Sequence, residues 1–208
     1  MTDAIFIHIP KCAGTSIINA LHQHGLEKYR LNPWIGDSTF LASKSVSEFN
    51  GSGLVTFCHD YLHELKANGV LTDSFYDRAF KFCFVRNPWD RFLSLYHYKN
   101  IYEKRRTRFK QFCMSFDRQK LKGQWNLQVS WIPDDIDYIG HVETIEQDFT
   151  YILSVLNLDH IQLKKDNTSK PIRFFKRHYT KYYDSESQEA IRDVYKEDIE
   201  KLGYEFGG

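Results

Sequence analysis

The sequence predicts an α/β protein built on a central, mostly parallel sheet flanked by helices. Short strand-like runs recur at residues 4–9 (AIFIHI), 54–58 (LVTFC), 79–85 (AFKFCFV) and 137–142 (DYIGHV). Segments with helical spacing or helix-start signals alternate with them. Two of the runs also lead straight into a turn and a helix start, at Pro10–Gly14 and at Asn87–Pro88.

Each element has a local reason. The run at 4–9 ends at Pro10, and residues 15–24 carry Ile17, Ile18 and Leu21 at helical spacing, which makes a strand–loop–helix unit. The run at 54–58 reads as the second buried strand, with a short helix near 60–68. After 79–85, Asn87 is placed as N-cap and Pro88 as first helical residue, with Phe92, Leu95 and Tyr96 on one face. Thr144 and Gln147 predict a capping box for a helix to about residue 157. Ser185 and Gln188 predict another, for a helix carrying Ile191, Val194, Tyr195, Ile199 and Leu202 and stopped by Gly203. Residues 103–135 are less regular. No repeat, low-complexity stretch or linker interrupts the 208 residues, so a single domain over 1–208 is expected.

Composition excludes several classes. Charged residues make up 26 % and apolar ones 42 %, which fits neither a disordered tail nor a disulfide mini-protein. Cys12, Cys58, Cys83 and Cys113 lie far apart with no CxxC pair, against a zinc ribbon or thioredoxin-type motif. Cys58 and Cys83 sit in apolar runs and read as buried free thiols in a reducing compartment. The start MTDAIFIHIPKCAG has no basic n-region, and no long apolar span follows, so a cytoplasmic chain without a transmembrane segment is expected. Aromatic residues reach 16 %, which implies a ring-rich core, a stacking surface or both.

The formal charge of +1 hides strong local asymmetry. Residues 104–122 hold eight basic residues and one acid (+7), 164–181 hold seven and one (+6), and 184–201 hold three basic residues against seven acids (−4). Basic segments in a neutral chain point to local anion sites, with no nucleic-acid partner, or to solvated helix faces.

The sharpest motif is Ile9-Pro10-Lys11-Cys12-Ala13-Gly14-Thr15-Ser16. It follows a buried strand and opens a helix. Small Ala13 and Gly14 let backbone N–H groups approach an anion, the helix N-terminus adds partial positive charge, and Lys11, Thr15 and Ser16 add a full charge and two hydroxyls. The order differs from Walker A, where the lysine follows the last glycine. The second motif is Arg86-Asn87-Pro88-Trp89-Asp90-Arg91-Phe92-Leu93-Ser94. Arg86 leaves a strand end, where open α/β sheets bind ligands, and its guanidinium can grip a phosphate through two N–H groups. Ser94 lies on the helix that follows. A turn held by capping and an ion pair would leave the same sequence.

Together these motifs resemble the PAPS-dependent sulfotransferases of the carbohydrate type, the family of the heparan sulfate 2-O- and chondroitin sulfotransferases and many small bacterial relatives. Tyr138–Phe149 (YIGHVETIEQDF) and Tyr182–Phe206 also follow the bacterial pattern, so the likeness spans almost the whole chain. It implies a P-loop-like three-layer fold and transfer of a sulfuryl group from PAPS (3′-phosphoadenosine 5′-phosphosulfate) to a hydroxyl, without a required metal. It implies that Lys11 to Ser16 form the 5′-phosphosulfate loop, with Lys11 stabilising the leaving bisphosphate, and that Arg86 and Ser94 hold the 3′-phosphate. The family places a general base after the strand at 54–58, which here is His59, with His63 one helical turn on as the substitute. His59, Asp60 and His63 could be mistaken for metal ligands, but no third ligand has a convincing spacing, so no metal is expected.

The likeness also places Leu163–Pro171, with Thr168 and Ser169, over the nucleotide. Its Pro-Gln pair is matched by Gln128 alone, with Leu127 in place of proline. The basic segment with Arg105, Arg106 and Arg108 is expected to line a groove for an acidic glycan, with Trp89, Trp125 and Trp131 as candidate sugar platforms or core rings. Two alternatives remain at this stage. A P-loop phosphotransferase fits less well because neither the Walker A order nor a Mg²⁺ carboxylate motif is present. A catalytically silent glycan-binding module would not need Lys11, His59, Arg86 and Ser94 together.

Overall fold

A computed structural model of the chain describes residues 3–22, 27–31, 54–58, 67, 71–103, 107–161 and 177–208. They pack as two compact units, Met1–Val85 with Ser130–Lys165, and Arg86–Val129 with Asp166–Gly208.

The first unit holds a sheet of five parallel strands: β1 (Ala4–His8), β2 (Glu27–Leu31), β3 (Leu54–Cys58), β4 (Phe80–Val85) and β5 (Tyr138–His141), in the order β2-β3-β1-β4-β5. β1 pairs with β3 through Ile5↔Val55 and with β4 through Ile5↔Lys81, so it is central and every residue in it is buried. Burial on both faces explains its unbroken apolar run. Because all pairings are parallel, the carboxyl ends of the strands share one sheet edge. The chain leaves β1 toward β2 on one side, and from β3 it crosses to β4 on the other. The order therefore reverses at β1 and β4.

Helix α1 (Gly14–His22) follows β1, α2 (Asp73–Arg78) precedes β4, and α5 (Ile145–Val155) follows β5. Ile17, Ile18 and Leu21 are buried on α1, as the spacing predicts. The fold is thus the expected α/β arrangement. Strand β2 was not predicted: three of the five residues of its sequence EKYRL are charged, which suits its place at the sheet edge. Gly140 pairs with Phe84 in the sheet, and a Cβ there would come within 2.7 Å of the Phe84 ring. Lys81 is 5 % exposed within β4; its Nζ donates to the carbonyls of Tyr76 and Ala79, both at 3.2 Å, and faces Asp135 and Asp137 at 3.6 and 3.9 Å. A buried ammonium is tolerated only with such partners.

The second unit is helical: α3 (Pro88–Glu103), α4 (Phe109–Ser115), α6 (Ser185–Val194) and α7 (Lys196–Leu202), joined in part by 3₁₀ turns at Arg118–Lys120, Gly123–Trp125 and Tyr179–Tyr182. Its core is aromatic. Around the fully buried Phe92 stand Phe112, Phe116 and Trp125, with ring centroids at 5.5, 5.2 and 5.5 Å. Among the described residues the rings are therefore largely core packing, and the irregular 103–135 stretch supplies much of it.

Three capping expectations need correction. Thr144 makes no capping-box bond; its hydroxyl donates to Asp148 Oδ2 at 2.7 Å, because that carboxylate also collects Tyr138 Oη and the His141 N–H, both at 2.8 Å. The second box sits one residue earlier than predicted. Asp184 caps α6 by accepting from Ser187 N at 2.9 Å, and Ser187 Oγ accepts from Asp184 N at 3.0 Å. The single helix expected to reach Leu202 breaks at Tyr195 into α6 and α7, and Gly203, with φ +70°, ends α7 as predicted. Asn87 does cap α3: its Oδ1 accepts from Trp89 N at 3.2 Å. The helix predicted near 60–68 lies outside the described residues apart from residue 67.

Candidate functional site

The turn between β1 and α1 is built from strained backbone. Lys11 and Ala13 are left-handed, with φ of +67° and +59°. Each costs a non-glycine residue on the order of 1–3 kcal/mol, and such strain persists only where the surroundings enforce it. Left-handed residues in a short turn aim N–H groups into a common concavity. Ser16 N and Ile17 N both donate to Ala13 O, at 2.9 and 3.2 Å, which anchors the start of the helix. The N–H groups of Gly14 and Thr15 lie in the first turn, where no intrahelical carbonyl reaches them. The side chain of Thr15 is exposed, and those of Lys11 and Ser16 are half-buried. Cys12 contributes differently: its thiol is buried and donates to Pro10 O at 3.6 Å, and its N–H donates to Ile9 O at 3.3 Å.

Gly14 has a reason the sequence did not reveal. It is not left-handed. A Cβ there would fall within 2.6 Å of His8 Cγ and closer still to Cδ2 and Nε2. His8 is 8 % exposed and stacks on Phe6 at 5.9 Å, so the ring at the end of β1 forms the floor of the turn. No spacing rule links His8 to Gly14.

In the second unit, Arg86 is the residue bonded to the last residue of β4. Its Nε and Nη2 both donate to Asp90 Oδ2, at 2.9 and 2.6 Å. The pair is partly exposed, with Arg86 at 22 % and Asp90 at 29 %. Asp90 was missed as a partner, although its place four residues after Arg86 is a readable signal. Ser94 is half-buried on α3.

A sulfotransferase family model matches residues 2–205, nearly the whole chain. The chain belongs to the sulfotransferase family. It is also similar to an uncharacterized protein of Archaeoglobus fulgidus, with 28 % identity over 93 residues, 40 % of this chain and 72 % of that one. The family makes the protein a transferase, and its reaction is the transfer of a sulfuryl group.

The remaining expected site residues of this sulfotransferase divide in two. His59, His63, Arg105, Arg106, Thr168 and Ser169 lie outside the described residues. Arg108 is exposed just before α4. Trp125 packs among Phe92, Phe112 and Phe116, with Lys99 Nζ 5.6 Å from its ring centre. Trp89 and Trp131 are each 3 % exposed, which makes them core rings rather than sugar platforms.

Two basic residues of the +7 segment, Lys110 and Arg118, bond to the acidic C-terminal stretch of the same unit. Lys110 Nζ lies 2.7 Å from Asp184 and 2.6 Å from Glu186, and Arg118 donates to the Asp193 carbonyl. Hydrogen bonds from Lys110 and Ser187 hold the Asp184 carboxyl well below the usual carboxylate range. Among the described residues no helix is long and apolar enough to cross a membrane.

Proposed function

We propose that this sulfotransferase uses PAPS as donor and a hydroxyl on an acidic glycan as acceptor. The observation that carries the reading is the strained Lys11–Ala13 turn at the carboxyl end of the central strand β1. Two left-handed non-glycine residues, a lysine and a helix N-terminus together suit the 5′-phosphosulfate of the donor. β1 and β4 adjoin at the point where the strand order reverses, and this turn follows β1 there.

In this reading the acceptor oxygen attacks sulfur, a new S–O bond forms, and the bond from sulfur to the bridging phosphate oxygen breaks. Negative charge grows on that bridging oxygen. Lys11 and the N–H groups of the first turn of α1 oppose it, an interaction strongest in the transition state. His59 takes the acceptor proton. Arg86 and Ser94 bind the 3′-phosphate, Thr168 and Ser169 add contacts to the nucleotide, and His63 stands near the acceptor. Arg105, Arg106 and Arg108 face the acidic acceptor, a role that Lys110, paired with Asp184 and Glu186, does not share.

Thermal unfolding with added nucleotide tests the donor. Adenosine 3′,5′-bisphosphate at about 100 times its Kd contributes roughly 2.7 kcal/mol. At about 2–4 °C per kcal/mol for a chain of this size, the midpoint rises by roughly 5–10 °C. Mg-ATP leaves it unchanged. A rise with Mg-ATP and none with the bisphosphate overturns the reading in favour of a phosphotransferase.

A further inference from the structure

Arg86 is held by its main chain as well as by its guanidinium. Gln128, fully buried, pairs with it in both directions: Oε1 accepts from Arg86 N and Nε2 donates to Arg86 O, each at 2.9 Å. This two-point clamp fixes the backbone from which the Arg86 side chain departs. Gln128 is in turn fixed by Asp198, also fully buried. One carboxylate oxygen accepts from Gln128 N at 2.9 Å and the other from Val129 N at 3.0 Å.

The loop that carries Gln128 is pinned further along. Arg91, 1 % exposed, donates from Nη1 to Asn126 O at 3.0 Å and from Nη2 to Gln124 O at 2.9 Å. Tyr195 Oη donates to Trp125 O at 2.8 Å. Burial pushes the Asp198 carboxyl up, and the charge of Arg91 with the two backbone N–H groups acts in the opposite direction. A buried carboxylate is a costly way to hold a loop, and an apolar side chain of similar size would pack the same space. What the carboxylate provides is a fixed orientation for Gln128.

We infer that Gln128, oriented by Asp198, is a positioning residue for Arg86 and sets the enzyme's preference for a donor nucleotide bearing a 3′-phosphate. The inference rests on the reading of Arg86 as the 3′-phosphate ligand. Asp198 and Gln128 stand 70 residues apart in the sequence and touch no part of the phosphate themselves in this scheme. They act through the place and angle of one guanidinium, and a bidentate grip on phosphate is sensitive to both.

The test compares binding of adenosine 3′,5′-bisphosphate and adenosine 5′-monophosphate to the full chain by calorimetry. The wild type is expected to prefer the bisphosphate by on the order of tenfold or more, the scale of one charge-assisted hydrogen bond. Arg86→Met abolishes that preference. Gln128→Met lowers it by about fivefold or more while binding of the monophosphate barely moves, and it has no further effect in the Arg86→Met background. Asp198→Asn, whose amide opposes the Gln128 N–H, moves the ratio in the same direction and serves if Gln128→Met does not fold. A merely structural role lowers thermal stability or weakens both nucleotides equally, leaving the ratio intact. That result, with Arg86→Met still abolishing the preference, overturns the inference alone. An unchanged ratio in Arg86→Met overturns the reading of Arg86 and the inference with it.

Discussion

Replacing Gly14 with alanine sets two local effects against each other. Alanine is the better helix former by about 0.8–1 kcal/mol at an interior position, and by less in a first turn. Against that, the new methyl falls within 2.6 Å of the His8 ring. His8 cannot yield cheaply: it is 8 % exposed and stacks on Phe6, which stacks on Phe82 at 5.1 Å across the β1–β4 pair. Overpacking of this kind costs about 1–3 kcal/mol, so the clash wins and Gly14→Ala destabilises by about 1–2 kcal/mol. Urea denaturation reads the loss. A His8→Ala background removes the obstruction, so the same substitution there costs less than about 0.5 kcal/mol, and the double-mutant cycle shows coupling of about 1 kcal/mol. Donor-nucleotide affinity falls with Gly14→Ala, because the turn that presents the N–H groups must shift. A Gly14→Ala protein as stable as the wild type, or one with the same cost whether or not His8 is present, refutes the reasoning.

Ala13 and Asp148 give simpler tests. Ala13→Gly relieves a left-handed residue worth about 1–2 kcal/mol and adds unfolded-state freedom worth about 0.4–1 kcal/mol, so a net gain of up to about 1.5 kcal/mol is expected in chemical denaturation. Burial pushes the Asp148 carboxyl up, but hydrogen bonds from the His141 N–H, the Thr144 hydroxyl and the Tyr138 hydroxyl more than offset this and hold it below the ordinary 3.8. Its folded-state pKa is therefore depressed, so its stabilisation is present at neutral pH and is lost as pH falls below about 3.9. Asp148→Asn is expected to cost about 1.5–3 kcal/mol at pH 7 and to flatten the acid limb of the stability profile, as read by thermal melts from pH 7 to 3.

The fold was legible where burial on both faces forces mostly apolar runs, as in AIFIH and FKFCFV. It was not legible at β2, an edge strand whose charged residues carry no such signal. Asn87 and Gly203 were legible as caps to the residue, whereas the two capping boxes were legible only as regions. At Asp184-Ser185-Glu186-Ser187 two neighbouring side chains can cap a helix, and Ser187, fully buried, decides for Asp184. At Thr144 a nearby carboxylate outcompeted the helix end. The turn after β1 was legible from a strand, small residues and a helix start. Its detail was not: the left-handed positions fall on Lys11 and Ala13, and Gly14 is glycine because of a ring six residues earlier. Gln128 and Asp198 meet only through the tertiary fold, which no spacing rule reaches.

The most direct test of the whole account is transfer of radiolabelled sulfate from PAPS, by the wild type and by Lys11→Met, across glycans, lipids and small alcohols. Removing one preorganised donor to a developing oxyanion costs roughly 10²–10³-fold in kcat. The wild type is expected to transfer sulfate, most strongly to an acidic glycan, and Lys11→Met to lose activity by that order with the fold intact. Transfer at the wild-type rate by Lys11→Met, or none to any acceptor by the wild type, contradicts that expectation.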